Sequence, residues 1–364
     1  MDTARRFEPK TVLLWREVEE DTEAQRIVSL FPSANVRVVE QQRCPQMLQM
    51  PPAKAILEGK RTLMIGRTTS FVKHFDGRLG DSICCRPYFK LVPLSNGCPY
   101  FCTYCYLAFI YRKYAPFIKI NINYDTMVRQ IGKTINCSTG KISFNMGEML
   151  DSLALDHVVN LTTRLVPLFA GGGDGYLMLL TKSSNIDNLL RVEPNKHVVV
   201  SWSLNSQRVI DDCELGTASL NERLKAAKRC RQHGYRIRIP IDPGILCRSW
   251  KTEYSELVEK ILGTIAPENI TIGMLRLLPG HVGLATAAYG RRARQLNAGT
   301  LVPGASDGKL RNHPEQRIEF YRFLLDVIRR CDRHVSISLC RESRQILNHF
   351  KEQCDQSRCN CMPW

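Results

Sequence analysis

Three cysteines, Cys98, Cys102 and Cys105 in the run NGCPYFCTYCY, are the side chains of this chain best suited to chemistry. Thiolates ligate iron–sulfur clusters, and a compact Cys-x3-Cys-x2-Cys loop can wrap three of them around one [4Fe–4S] cube. Three protein ligands leave the fourth iron open, which is what coordination of a substrate or cosubstrate requires. A zinc site fits less well, because structural zinc takes four ligands and no histidine stands near the triplet in sequence. The loop directly follows Phe89–Pro93, a run that reads as a strand.

The chain holds 15 cysteines, an odd number, and its first residues, MDTARRFEPK, lack an apolar signal core. A disulfide framework is therefore a poor account of them, and clustered thiols in a reducing compartment bind metal or react. The tail CDQSRCNCMPW carries Cys354, Cys359 and Cys361. They are candidates for a second metal or a redox role, the alternative being a disordered tail with free thiols. Cys84, Cys85, Cys213, Cys230, Cys247, Cys331 and Cys340 read mostly as small buried hydrophobes.

The elements that must position the triplet follow from periodicity. Apolar strand-like runs at Phe89–Pro93, Lys141–Met146, Tyr176–Lys182, His197–Asn205, Tyr235–Ile241 and Ile270–Leu277 alternate with helical patterns. The clearest helix runs from Leu220 to His233, with Ser219 and Glu222 as a capping box and Gly234 at its end. Another follows Pro314, over Glu315–Arg330. Such alternation argues for an α/β fold with a mostly parallel sheet and helices outside it. About six units suggest a barrel or partial barrel, with its active site at the C-terminal strand ends. Residues 1–85 read as a small N-terminal α/β unit with a connector at Arg43–Pro52, residues 86–345 as the barrel, and 346–364 as the tail. Within the barrel, 286–313 reads as a basic surface insertion carrying Arg291, Arg292 and Arg294, suited to touching a phosphate backbone.

A net charge of +16 over 364 residues attracts polyanions, so nucleic acid or a nucleotide-like substrate is expected. No apolar run approaches the length of a membrane span. The composition is ordinarily globular, a soluble cytoplasmic protein is expected, and oligomeric state is not legible.

The triplet and the aromatic residue after it resemble the radical S-adenosylmethionine superfamily. Within it, GCPYFCTYCYL, LLTKSSNIDNLL, VSWSLNS and LNERLKAAKRCRQHGYRIRIPIDP resemble the spore photoproduct lyase family. The resemblance covers most of the chain and implies a partial (β/α)6 barrel of the TIM-like type. It implies that S-adenosylmethionine chelates the open iron. An electron from a donor such as flavodoxin or ferredoxin then cleaves it to a 5′-deoxyadenosyl radical, which abstracts hydrogen from substrate. Tyr104 and Tyr106 match tyrosines beside the cluster that relay a hydrogen atom. Lys182 and Ser203 match cosubstrate contacts, and Asn205 and Asp242 also fall at strand ends. Gly147-Glu148 resembles the element that holds the cosubstrate ammonium.

One departure matters. Glu148 falls where the lyases carry their hydrogen-donor cysteine, Leu150 falls where they carry a serine, and Cys137 lies too early to substitute. A chain lacking that thiol is expected to cleave S-adenosylmethionine but to repair the thymine spore photoproduct poorly, unless Tyr104, Tyr106 or a cysteine from elsewhere donates. Two other readings are a radical enzyme acting on a peptide or small metabolite, and a non-catalytic Fe–S or zinc protein that binds nucleic acid.

Overall fold

A computed structural model describes residues 7–40, 49–79, 85–171, 173–304 and 307–364. Most of the expected connector at Arg43–Pro52, and Cys84, lie outside the described residues.

The strand-like runs form one eight-stranded sheet. Its order is Val72–Phe75, Tyr88–Leu91, Ile142–Asn145, Gly175–Thr181, Val198–Trp202, Arg236–Gly244, Asn269–Met274 and Ser336–Leu339. From Tyr88–Leu91 onward the strands are parallel, each beside the next in sequence. Only the edge strand Val72–Phe75 runs antiparallel. Every residue of Val198–Trp202 and of Asn269–Met274 is buried, as expected of parallel strands covered on both faces. Among the described residues no pairing joins the first strand to the last, so the sheet is an open, partial barrel.

Parallel neighbours need crossover connections, and the helices Leu220–His233, Trp250–Thr264 and Pro314–Cys331 supply three of them. The Ser219–Glu222 capping box forms, and Gly234 ends its helix at φ 112°, a conformation open to glycine. The seventh parallel strand, Ser336–Leu339, escaped the sequence reading because SISL is short and half polar. Its serines face the sheet's interior, where Ser338 bonds Thr271.

A second sheet has the order Asn35–Val39, Thr11–Trp15, Thr62–Gly66, Ile118–Asn121 and Leu94–Ser95. Its last two strands come from beyond residue 85, so the N-terminal unit and the barrel share one stretch of chain around the cysteine loop.

Two segments differ from expectation. The described residues of 286–313, which read as a basic surface insertion, form a packed layer. The helix His281–Tyr289, a 3-10 segment Gly290–Asn297 and a small antiparallel sheet of Arg276–Leu277, Leu310–Asn312 and Leu301–Pro303 fold together. Ala285, Ala293 and Leu296 bury themselves against Leu275 and Leu277, which gives the layer a core that its arginine content concealed. Arg291, Arg292 and Arg294 remain exposed on it.

The tail is also ordered. Asp355 N donates to Ile337 O at 2.7 Å, and Asn360 then enters the barrel interior. There Asn360 Oδ1 accepts from Ser201 Oγ at 2.8 Å and its N–H donates to Thr271 Oγ1 at 3.1 Å. The fully buried Arg238 donates to the carbonyls of Cys359 and Met362 at 3.0 and 2.8 Å. Ser201 and Arg238 are register partners on adjacent strands, so one face of the sheet grips the tail.

Candidate active site

The C-terminal strand ends open into a cavity of about 270 Å³. Cys98, Cys102 and Cys105 line it, with Tyr104 and Tyr106 between and beside them. Gly147, Glu148, Lys182, Ser203 and Asp242 line it too. Residues spread over the whole barrel sequence thus meet at one point, as parallel βα topology requires.

The cysteine loop is held from several sides. Phe101–Cys102 pairs antiparallel with Glu214–Leu215, and Thr103 N donates to Cys213 O at 2.8 Å. The ring of His281 meets Thr103 O at 2.9 Å, and the ammonium of Lys60 bonds Cys98 O. Gly97 N donates to Met149 O at 3.3 Å, tying the loop to the Glu148 segment. A Cβ on Gly97 would stand 2.3 Å from that of Leu94, so this approach needs glycine.

Burial pushes the Cys98 thiol up to about 12, against the opposing pull of Lys60, and pushes Cys102 well above the ordinary thiol value. Buried thiols of this kind become thiolates only beside a cation, and coordinated iron supplies that charge. Among the described residues no three His, Cys, Asp or Glu side chains converge on a point that would hold a single ion. A cubane does not ask for this, since each of its cysteines binds a different iron. Three thiols on one cavity wall, held by a braced loop, fit a [4Fe–4S] cluster.

Lys182 and Ser203 stand together, with Lys182 Nζ 2.6 Å from Ser203 Oγ. Lys182 has a further partner that the sequence did not reveal. Glu214 Oε1 accepts from Lys182 Nζ at 2.9 Å, Arg223 approaches Glu214 Oε2 to 2.6 Å, and the Tyr104 hydroxyl donates to Glu214. Burial alone would raise the Glu214 carboxyl, but Lys182 and Arg223 outweigh it and hold it at about 2. Nothing in DDCELG marks this glutamate, and only the antiparallel pairing of Glu214–Leu215 beside Cys102 brings it to the site.

Glu148 is paired as well. Arg341 Nη2 lies 2.9 and 3.0 Å from its two oxygens. Burial raises the Glu148 carboxyl, and Arg341 with Lys90 more than reverses this, so it is ionised. The Tyr106 hydroxyl donates to Glu148 O at 3.0 Å. Gly147 serves packing: a Cβ there would lie 2.2 Å from Leu180 Cβ, and its N–H donates to Asn145 Oδ1 at 2.7 Å. Asp242 forms a two-contact pair with Arg276 Nη2 at 2.8 and 2.7 Å.

Asn205 does not join the cavity. It is fully buried, accepts from Tyr254 Oη and donates to Pro243 O, both at 2.8 Å, and so braces two strand ends. Asp151, unremarked in the sequence, accepts from Leu153 N, Ala154 N, Thr181 Oγ1 and Lys182 N. It locks the Glu148 segment to the strand end that carries Lys182.

The tail cysteines are separated. Cys354 packs in the main apolar core, whereas Cys359 and Cys361 reach an adjoining cavity also lined by Cys85 and Cys340. Cys340 and Cys361 extend into the principal cavity. The three tail thiols therefore do not gather around one second metal.

A braced Cys-x3-Cys-x2-Cys loop at the C-terminal mouth of a partial parallel barrel defines the radical S-adenosylmethionine class. A family model described as spore photoproduct lyase matches residues 7–277. The spore photoproduct lyase of Clostridium acetobutylicum is 29% identical over 210 residues, 57% of this chain and 60% of that protein. This chain thus spans about three fifths of that relative's length. Among solved structures, a spore photoproduct lyase variant with dinucleoside spore photoproduct superposes with a TM-score of 0.79 at 19% identity, covering 92% of this chain and all of that one. Another variant, with bound AdoMet and dinucleoside spore photoproduct, gives 0.77 at 21% identity, covering 92% and 99%. The chain belongs to the spore photoproduct lyase family.

Proposed function

We propose that this protein is a radical S-adenosylmethionine enzyme that abstracts hydrogen from a nucleic acid or nucleotide. The observation that carries the reading is the convergence of Cys98, Cys102 and Cys105 with the Lys182–Ser203 pair in one cavity. Cys98, Cys102 and Cys105 would hold the [4Fe–4S] cluster, which supplies the electron that opens the sulfonium of S-adenosylmethionine. Lys182 and Ser203 offer a cation and a hydroxyl to the cosubstrate, with Glu214 fixing the Lys182 ammonium. Glu148, kept ionised by Arg341, offers an oxygen to the cosubstrate ammonium.

Tyr104 and Tyr106 are neutral phenols here, since burial raises both above the ordinary tyrosine value, followed by Glu214 for one and Glu148 for the other. A phenol that keeps its O–H can pass on a hydrogen atom. Lys309 adds positive charge to the cavity wall, suited to a phosphate. The dinucleoside ligand held by the solved relatives agrees with a substrate of that class.

Anaerobic reconstitution with iron and sulfide, followed by reduction with S-adenosylmethionine present, should yield 5′-deoxyadenosine. The triple Cys98→Ala, Cys102→Ala, Cys105→Ala variant should yield none. Product from that variant would refute the cluster assignment. Binding of nucleic acid with no cosubstrate cleavage by the unmodified protein would favour a binding protein instead.

A further inference from the structure

Glu148 cannot return a hydrogen atom to a carbon radical, because a carboxylate holds no weak X–H bond. A thiol can, and the fold brings one to the same strand end from the far end of the chain. Cys361 lines the cavity together with Cys98, Lys182 and Glu148. The amide of Asn145 donates to its sulfur at 3.6 Å. Asn145 ends the strand Ile142–Asn145 and binds Gly147 N through its Oδ1, so the residue that fixes the Glu148 turn also holds the Cys361 sulfur.

Cys361 is not a loose tail thiol. Its neighbours on both sides are anchored: Asn360 to Ser201 and Thr271, and Met362 through its carbonyl to Arg238. Asn145 meets the sulfur as a donor, so this contact does not use up the thiol hydrogen. Burial pushes the thiol well above its ordinary value, so it remains S–H, the form that donates a hydrogen atom.

We propose that the Cys361 thiol is the hydrogen-atom donor to carbon radicals formed in this cavity, the C-terminal tail supplying the group that the strand end at Glu148 lacks. The inference rests on the radical reading above. The S–H bond breaks homolytically, a C–H bond forms on the radical carbon, and Cys361 becomes a thiyl. One electron from the reductant that drives the radical chemistry, with one proton from water, restores the thiol.

The test needs no identified substrate. Reconstituted protein is reduced with dithionite in D2O with S-adenosylmethionine alone, so that the 5′-deoxyadenosyl radical is quenched by the nearest donor. The deuterium content per 5′-deoxyadenosine is then read by mass spectrometry. A thiol exchanges with solvent, so the unmodified protein should give singly deuterated product. Cys361→Ser keeps the size and the Asn145 contact, but its O–H bond is too strong to donate, and label per product should fall severalfold. Cys137→Ser, altered on the surface, should retain the label. Full label in Cys361→Ser, or label lost only in Cys340→Ala, overturns the assignment. Absence of 5′-deoxyadenosine from the unmodified protein overturns the radical reading and this inference together. A cluster-free readout stands beside it: methylmercury, which displaces the thiol proton and needs no preformed thiolate, should label Cys361 at the cavity wall of the apoprotein ahead of the core-packed Cys354. An equal or slower rate at Cys361 would show that the tail does not present its thiol to the cavity.

Discussion

Glu214 shows how one side chain can serve several others. It accepts from Lys182 and from the Tyr104 hydroxyl, and pairs with Arg223. Arg223 is fully buried, so Glu214→Gln leaves an unpaired charge in the interior, a change that costs about 3–5 kcal/mol. Urea unfolding at neutral pH should show that loss. The pH dependence has a definite sign. A carboxyl held at about 2 in the folded chain stabilises it fully above its ordinary value, near ~4.3, and that contribution disappears as the pH falls through about 2. The unmodified protein should therefore lose stability across that acid window, and Glu214→Gln should lose less. Lys309 gives a second pH signature. Burial first, then Arg341 and Arg276, lower its ammonium to about 8. Nucleotide binding that uses its charge should weaken as the pH rises through about 8, and Lys309→Arg should remove that weakening. Isothermal titration at several pH values checks both.

At the scale of elements, the site depends on segments that clamp one another. The Gly147 turn fits against Leu180 only without a Cβ. Gly147→Ala overpacks it, costs about 1–3 kcal/mol, and displaces Glu148. The apparent KM for S-adenosylmethionine should rise more than the melting temperature falls. The tail is the other clamp. Arg238 donates to carbonyls of Cys359 and Met362 from inside the barrel, with Glu268 as its ion partner at 3.5 Å. Ending the chain after Glu352 removes those carbonyls and uncovers a buried guanidinium. The loss should approach the about 3–5 kcal/mol of a broken buried pair, measured by denaturant midpoint.

For the molecule as a whole, the charge of +16 is the dominant long-range property. Part of it stands on the packed layer built from the described residues of 276–312, where Arg291 and Arg294 are exposed. A folded basic surface holds its charges in place, which a loose arm would not. Affinity for single-stranded DNA should fall steeply with salt, and Arg291→Ala with Arg294→Ala should lower the log–log slope by about 1.4 if both meet phosphates. An unchanged slope in a fluorescence-anisotropy titration would place the nucleic acid elsewhere.

The sequence by itself determined the cysteine triplet, the alternation of strands and helices, and the placing of Lys182, Ser203 and Glu148 at strand ends. These are local signals: ligand spacing fits within one loop, and hydrophobic period and caps fit within one element. Its resemblance to the lyases also implied that Glu148 stands where they carry a donor thiol. The tertiary structure alone decided which distant groups complete the site. Glu214 reaches Lys182 through a two-residue strand pairing, and Arg341 reaches Glu148 from the last turn of the barrel. The tail, legible only as three cysteines near the end of the chain, is split by packing: Cys354 enters the core and Cys361 enters the cavity. Long-range packing of this sort leaves no period or spacing in a single sequence. It depends on which buried polar groups must find partners once the sheet has formed, and here Arg238, Ser201 and Thr271 find theirs in the tail.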